Sequence, residues 1–290
     1  MNELAHTIRI RVDATNPGQF FACCGLLELA ARSSGNATGR FSFSGSETVF
    51  HLTTPAAYAI ETLFKQIASC QVSSTLSPQG IARLRTLLNM KKTLLTREVA
   101  KEKSRLSEKW GHERITLGEP FHLVVEWWLD QYSGSDVLKT WAGKQFVTDI
   151  IEGNLKAFRT EQFKAFPIAD LLSHETDEGS LPFYFDAAIG GHSSSLDVGF
   201  SLDALSLRGR IKPAIEFLAF VGLQRFRPAR SGDVFRYRTW EQDMPPILAA
   251  AVSNGGFAVE GMRTYAFPLL YRTKYLKAFR TAKPITTSQP

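Results

Sequence analysis

The sequence predicts an α+β fold in which two strand-helix-strand modules flank a mostly helical central insert. An alternating segment at residues 8–12 precedes a helix-forming stretch at 17–32, and a second alternating segment follows at 40–43. A similar order of strand, helix and strand occurs 197 residues later. Between the two modules, apolar residues recur mainly at helical spacing. We therefore divide the chain into an N-terminal module (1–75), a mostly helical insert with one strand (76–180) and a C-terminal α+β module (181–290).

The first module is organised around a helix whose start is encoded locally. Asn16 is a good N-cap because its side-chain oxygen can accept an unpaired N–H of the first turn, and Pro17 suits the next position. Nearly every residue in 20–29 is apolar or small, which predicts a buried helix. A glycine within a helix costs about 1 kcal/mol relative to alanine, so we expect another backbone to pass close by. We assign a structural role to Asn16, Pro17, Gly18, Gln19 and Gly25.

The C-terminal module repeats this pattern. Residues 217–223 align with 20–26, and the Gly-Leu pair falls at the same offset. Residues 196–202 and 234–238 alternate as strands on either side of the helix. The similarity is typical either of an internal duplication or of a chance match between two buried helices, and both interpretations stay open.

Several further elements are predicted between and after these helices. Residues 121–129 and 181–187 have the apolar character of strands, and residues 138–158 have helical spacing. Residues 91–114 are the most polar stretch. They form either a solvated connection or a basic segment that becomes ordered on nucleic acid.

Composition favours a cytoplasmic protein. No apolar run reaches the roughly 18 residues that a membrane span needs, and the N-terminus lacks a signal-peptide pattern. Cys23 and Cys24 are adjacent within the predicted buried helix, and Cys70 is distant in sequence, so neither disulfides nor structural zinc are expected. We predict no membrane partner.

Positive charge is concentrated in two stretches. The net charge of the 290 residues is +6, whereas residues 205–240 and 263–283 each carry a local +6. Segregation of this kind indicates a surface that faces a polyanion. The predicted nucleic-acid-binding residues are Arg208, Arg210, Arg225, Arg227, Arg230, Arg236, Arg238, Arg272, Lys274 and Lys277.

Arg227, Arg230, Arg236 and Arg238 are close enough in sequence to form one stripe across a sheet edge. In the insert, Trp141 lies near Lys144 and Gln145, and an aromatic ring beside these polar side chains can stack on a base. A core position for Trp141 is the other interpretation.

The sequence contains no recognisable catalytic constellation. None of the six histidines pairs with another at metal-ligand spacing, and no paired carboxylates occur in a convincing context. We therefore predict no catalytic residue, no metal, no cofactor and no small-molecule substrate. The alternative enzyme is a metal-independent ribonuclease that uses His112 or His192 as an acid–base group.

Several stretches together resemble a CRISPR-associated family of subtype I-U, also called I-G. The most distinctive is residues 16–30, with Asn-Pro-Gly-Gln followed by Ala-Cys-Cys-Gly-Leu-Leu-Glu-Leu-Ala. Residues 138–145, 196–201 and 212–228 are similar to the same family and occur in the expected order.

The resemblance implies a large-subunit-like component of an RNA-guided surveillance complex, Cascade, in antiviral defence. Its implied partners are CRISPR guide RNA, target DNA and other Cascade subunits, and DNA cleavage is left to a separate helicase-nuclease. Three functions follow as hypotheses: a non-catalytic nucleic-acid-binding subunit, a guide-RNA-processing endoribonuclease, or a protein-only scaffold whose basic surface contacts acidic neighbours.

Overall fold

A computed structural model describes residues 6–129, 136–141, 145–176, 182–190, 210–271 and 277–285. The fold is α+β, as predicted. The chain divides into two compact units: one comprises residues up to Ser69 together with those from Thr140, and the other is Cys70–Lys139. The boundaries expected from the sequence were at 75 and 180 instead. Residues 147–158 belong to the larger unit because this helix packs against a helix at 213–222.

The N-terminal part of the larger unit contains the predicted strand, helix and strand. These are β1 (His6–Val12), α1 (Pro17–Ser34) and β2 (Thr38–Ser44), followed by β3 (Glu47–Thr54) and α2 (Ile60–Ser69). Strand β3 lies between β1 and β2 and is antiparallel to both, so β1 and β2 are not adjacent. Helix α1 begins at Pro17, as predicted, and the Asn16 side chain accepts a hydrogen bond from the Gly18 N–H.

The rest of the larger unit supplies helices and an antiparallel sheet. The helices are α5 (Val147–Phe158), α6 (Glu161–Lys164), α7 (Ala187–Gly190), α8 (Pro213–Gly222) and α9 (Pro246–Ser253), with a 3₁₀ turn at Ile168–Ser173. The strands are β7 (Ala229–Ser231), β8 (Val234–Thr239), β9 (Arg263–Tyr271), β10 (Lys277–Phe279) and β11 (Lys283–Ile285). Strand β9 pairs with β8 on one side and with β10 and β11 on the other.

The smaller unit contains two helices and a three-stranded antiparallel sheet. The helices are α3 (Pro78–Asn89) and α4 (Arg97–Gly111), with a 3₁₀ turn at Lys92–Leu94. The sheet has the order β4-β5-β6, formed by Val72–Ser74, Ile115–Leu117 and Leu123–Val125. The polar stretch predicted as a solvated or nucleic-acid-ordered segment therefore contains a regular helix, α4.

Three local predictions were too long or of the wrong type. The strand expected at 121–129 is limited to β6, because His122 has φ 44° and cannot extend the ladder. The segment 182–186 contains no strand, since Tyr184 has φ 70°. The helix expected at 138–158 begins only at Val147. The predicted strand at 196–202 lies outside the described residues.

Helices α1 and α8 cross with their backbones in direct contact. A Cβ atom on Gly25 would overlap the Leu218 carbonyl oxygen, and one on Gly222 would overlap the carbonyl oxygen of Phe21. This crossing confirms the expectation that a second backbone passes Gly25. Gly25 and Gly222 are related by the 197-residue offset of the two modules, as are Phe21 and Leu218, but a duplication stays a prediction.

We predict that Gly25→Ala strongly destabilises the protein. A methyl group at this position forces the two helices apart, and overpacking of a core typically costs about 1–3 kcal/mol or more. Gly111→Ala is the matched control, because no atom lies within 4 Å of its added Cβ and alanine is favoured over glycine in a helix. Urea unfolding measures both; equal stability of the Gly25→Ala variant and the parent would contradict the tight crossing.

Candidate nucleic-acid interface

The sheet formed by β7, β8, β9 and β11 has one buried face and one open face. Phe235, Tyr237 and Phe267 point inward and are at most 2% exposed. Tyr237 stacks on Phe20 of α1, with ring centroids 4.3 Å apart. Because successive residues of a strand point to opposite faces, the neighbours of these aromatic residues point outward.

The outward face carries cations separated by small side chains. Strand pairing places Arg236 of β8 opposite Ala229 on one side and Ala266 on the other, and Ala266 in turn is opposite Lys283. Arg236 and Lys283 are both exposed. We call the outward side of β7, β8, β9 and β11 the basic sheet face. None of the described outward positions on these four strands is acidic or aromatic.

Two further arginines border this face. Arg238 points to the same side as Arg236 and is half-buried, because its guanidinium lies against Gly255. Arg280 follows β10, is exposed, and donates its backbone N–H to the Pro268 oxygen at 3.3 Å. In the sequence, only the local excess of positive charge pointed to Arg280 and Lys283. A strand of three residues, such as β11, is too short to show a recognisable alternation.

Arg230 does not join the predicted stripe. It pairs with Phe235 across β7 and β8, which places it on the opposite face from Arg236. Its guanidinium carbon lies 5.9 Å from the centroid of the Phe235 ring, and its Nε donates to the Gly232 oxygen at 2.8 Å. The sequence correctly placed Arg236 and Arg238 on one face, but the side of Arg230 depends on the pairing register.

Arg225 forms an ion pair within the fold. Its Nε donates to Glu28 Oε2 at 2.6 Å, and its Nη2 donates to Oε1 at 3.1 Å. The Glu28 side chain is only 4% exposed and is also bound by Arg32. Although burial acts to raise the pKa of Glu28, the hydrogen bonds from the two arginines leave that pKa lowered. Arg225 therefore joins α1 to the end of α8, and we correct its assignment as a nucleic-acid contact.

The other predicted cations are dispersed. Arg210 is exposed and lies 3.7 Å from Glu175, and the ammonium of Lys277 is 5.8 Å from the centroid of the Tyr271 ring. Arg227 is half-buried and follows α8. Arg208, Arg272, Lys274 and Lys144 lie outside the described residues.

Trp141 is a core residue rather than a base-stacking platform. It is 4% exposed and makes an edge contact with Phe183, with ring centroids 5.1 Å apart. A nucleobase therefore has no access to its ring. Gln145, in the same segment, is half-buried.

The motif residues near the start of α1 contact other parts of the larger unit. The Asn16 amide donates to Asp186 Oδ1 at 2.6 Å, and the Gln19 side chain accepts from the Asp13 N–H at 2.8 Å. Pro17 occupies the first turn, and a Cβ on Gly18 would overlap the Phe185 carbonyl oxygen. The motif thus fixes the 185–187 segment against the start of α1.

Two buried carboxylates lie at this same end. Asp186 is fully buried, and its Oδ2 lies 3.2 Å from the Lys212 ammonium. Glu216 accepts the backbone N–H groups of Phe185 and Asp186 at 3.3 and 3.2 Å. Burial, reinforced by the charge of Asp186, raises the pKa of Glu216 to about 7. Both carboxylates are buried, and they are bound by the Lys212 ammonium and by backbone N–H groups.

Among the described residues, the thiols and histidines form no metal-binding cluster. Burial raises the pKa of the Cys23 and Cys24 thiols well above the ordinary value. No cluster of three metal-ligating side chains occurs in the described part of the chain. His112 is exposed at the end of α4, and His192 lies outside the described residues.

Comparison of the chain with family models, curated proteins and solved structures finds no match. The described helices include none with both the length and the apolar character that a membrane span requires.

We predict that Arg225→Ala lowers the free energy of unfolding by about 1–3 kcal/mol, because it removes a partner from a buried carboxylate. Arg236→Ala, which removes an exposed arginine, should change stability by only about 0.5 kcal/mol. Chemical denaturation of both variants measures the contrast. Equal effects of the two substitutions would contradict the structural role of Arg225.

We also predict that Glu216 makes stability fall as pH rises. In an unfolded chain a glutamate titrates near pH 4.3, whereas the folded pKa of Glu216 is about 7. Its stabilising contribution is fully present below the unfolded pKa and is lost as pH rises through the folded pKa. Relative to Glu216→Gln, the parent should lose up to about 3 kcal/mol between pH 4 and pH 8. Chemical denaturation across this range measures the change in the free energy of unfolding, and Glu260→Gln, at an exposed site, is the control. If the free energies of the parent and Glu216→Gln change in parallel with pH, the predicted role of Glu216 is contradicted.

Proposed function

We propose that the chain is a non-catalytic, cytoplasmic subunit of an RNA-guided CRISPR surveillance complex of subtype I-U, and that it contacts guide RNA or target DNA through the basic sheet face. The observation that carries this proposal is that Arg236 and Lys283 are exposed on one face of a sheet with no acidic residue among its described outward positions. The resemblance of residues 16–30 to that family supports the choice of complex.

The chemistry of this face favours contacts to phosphates. Arginine and lysine donate charge-assisted hydrogen bonds to phosphate oxygens, and the alanines between them leave room for a nucleic-acid backbone to approach. The described outward positions offer no ring on which a base can stack. Contacts of this kind position a nucleic acid without recognising its sequence.

The basic sheet face is separate from the interactions that hold the fold together. Inward Tyr237 and Phe267 pack in the core, whereas the strand register places Arg236 on the outward side of the sheet, where it is exposed. Binding can therefore be removed by substitution while the fold stays intact.

We predict that a triple variant, Arg236→Ala with Arg280→Ala and Lys283→Ala, lowers nucleic-acid affinity more than tenfold. The plot of log affinity against log salt should become shallower by roughly one unit for each phosphate that the variant no longer binds. Titration of a labelled guide RNA and of a DNA duplex at several salt concentrations measures both quantities.

Arg230→Ala is the control for the Arg236→Ala change within this variant, because it removes one equal charge from the opposite face of the sheet. It should leave affinity and salt dependence nearly unchanged. Equal binding by the triple variant and the parent would contradict the basic sheet face as the interface. Cleavage of repeat RNA by the pure protein in EDTA would contradict the non-catalytic role.

A further inference from the structure

An apolar pocket of about 560 Å³ opens on the larger unit, and none of its lining residues belongs to the basic sheet face. It lies between α2 and the corner formed by the end of α5, helix α6 and the 3₁₀ turn at Ile168–Ser173. Its main apolar lining residues are Phe64, Phe158, Phe163, Phe166, Ile168 and Leu171. Pockets of roughly 300–1,000 Å³ with such walls are typical of sites for small organic molecules.

The pocket is formed by core packing and does not depend on a ligand. Phe158 and Phe163 are buried, with ring centroids 4.4 Å apart, and Leu171 is buried beside them. Arg159 Nε donates to the Ala68 oxygen at 2.7 Å and so fastens α2 to the end of α5. A preformed apolar cavity requires little ordering when a ligand enters, which favours binding.

Cations outnumber acids among the residues that line the pocket. Lys65, Arg159 and Lys164 are exposed, and Glu61 is the acidic residue among them. Two of these cations have acidic neighbours: Lys164 is 2.6 Å from Glu161, and Arg159 is 3.7 Å from Glu152.

These ion pairs do not prevent the cations from binding a ligand. The Glu161 side chain is 87% exposed, and the Arg159 and Glu152 side chains are both more than 40% exposed. Exposed pairs of this kind contribute only about 0–1 kcal/mol, so an incoming anion can replace the protein carboxylate at small cost. Among the residues that line the pocket, a cationic ligand would meet three cations and one acid.

We propose that this pocket binds a soluble amphipathic organic anion, with an apolar aliphatic or aromatic body and one carboxylate or phosphate group. The body occupies the phenylalanine-lined interior, and the anionic group lies at the rim near Lys65, Arg159 and Lys164. The proposal is for binding and assigns no catalytic group to the pocket. This site is independent of the proposed nucleic-acid interface.

The direct test compares ligands that differ only in the charge of the head group. Isothermal titration of the full chain with monomeric dodecanoate, dodecyl phosphate and dodecyltrimethylammonium supplies the same tail with two anions and one cation. We expect one site for each anion and at least tenfold weaker binding of the cation. Equal affinity for all three, or no binding of either anion, would overturn the proposal.

Variants locate the site. Ala68→Trp fills the pocket from α2 and should abolish anion binding, whereas Thr62→Trp, on an exposed part of α2 outside the lining, should not.

The double change Lys65→Glu with Lys164→Glu should weaken dodecanoate binding at least tenfold without disturbing the core, and Lys156→Glu on α5 is its charge control. Anion binding that survives both Ala68→Trp and the double change would place the ligand elsewhere and refute the assignment. The proposed nucleic-acid interface is tested by different residues, so the two proposals can fail separately.

Discussion

The larger unit depends on the backbone contact between α1 and α8. Two helices can approach this closely only where neither carries a side chain at the crossing point, and Gly25 and Gly222 meet that condition. Most residues of α1 and every residue of α8 are buried. Buried polar groups on these helices therefore need partners inside the protein, because an unpaired buried polar group is costly. Glu28 binds Arg225, and Asn16 at the start of α1 binds Asp186.

The crossing also determines where the sheet can lie. Aromatic residues of α1 extend from the crossing towards β8, where Phe20 stacks on Tyr237, and the Tyr237 hydroxyl donates to the Ala14 oxygen at 2.8 Å. Trp240 Nε1 donates to the Gly39 oxygen at 2.6 Å and so connects the end of β8 to β2. One face of the sheet is thereby fixed against the core, and the other face is left open.

Local sequence rules predicted the elements near these helices well. The N-cap and proline at residues 16–17, the buried character of α1 and the close approach at Gly25 each follow from neighbouring residues and simple geometry. The partners of the charged residues could not be predicted in the same way. Glu28 and Arg225 are 197 positions apart, and the face of Arg230 depends on a strand register that a three-residue strand does not specify. Trp141 illustrates the same limit, since its burial arises from packing against the distant Phe183.

The total of positive charge in a sequence stretch therefore overstates the surface available to a polyanion. Within residues 205–240, Arg225 is held by a buried carboxylate and Lys212 lies beside buried Asp186. These cations offset the cost of burying acids and contribute to folding. Arg236 lies two strands from Lys283. Its outward neighbours on the adjoining strands are alanines, so no acidic side chain stands beside it there. Residues of one chemical type thus divide between folding and binding according to the face on which the backbone places them.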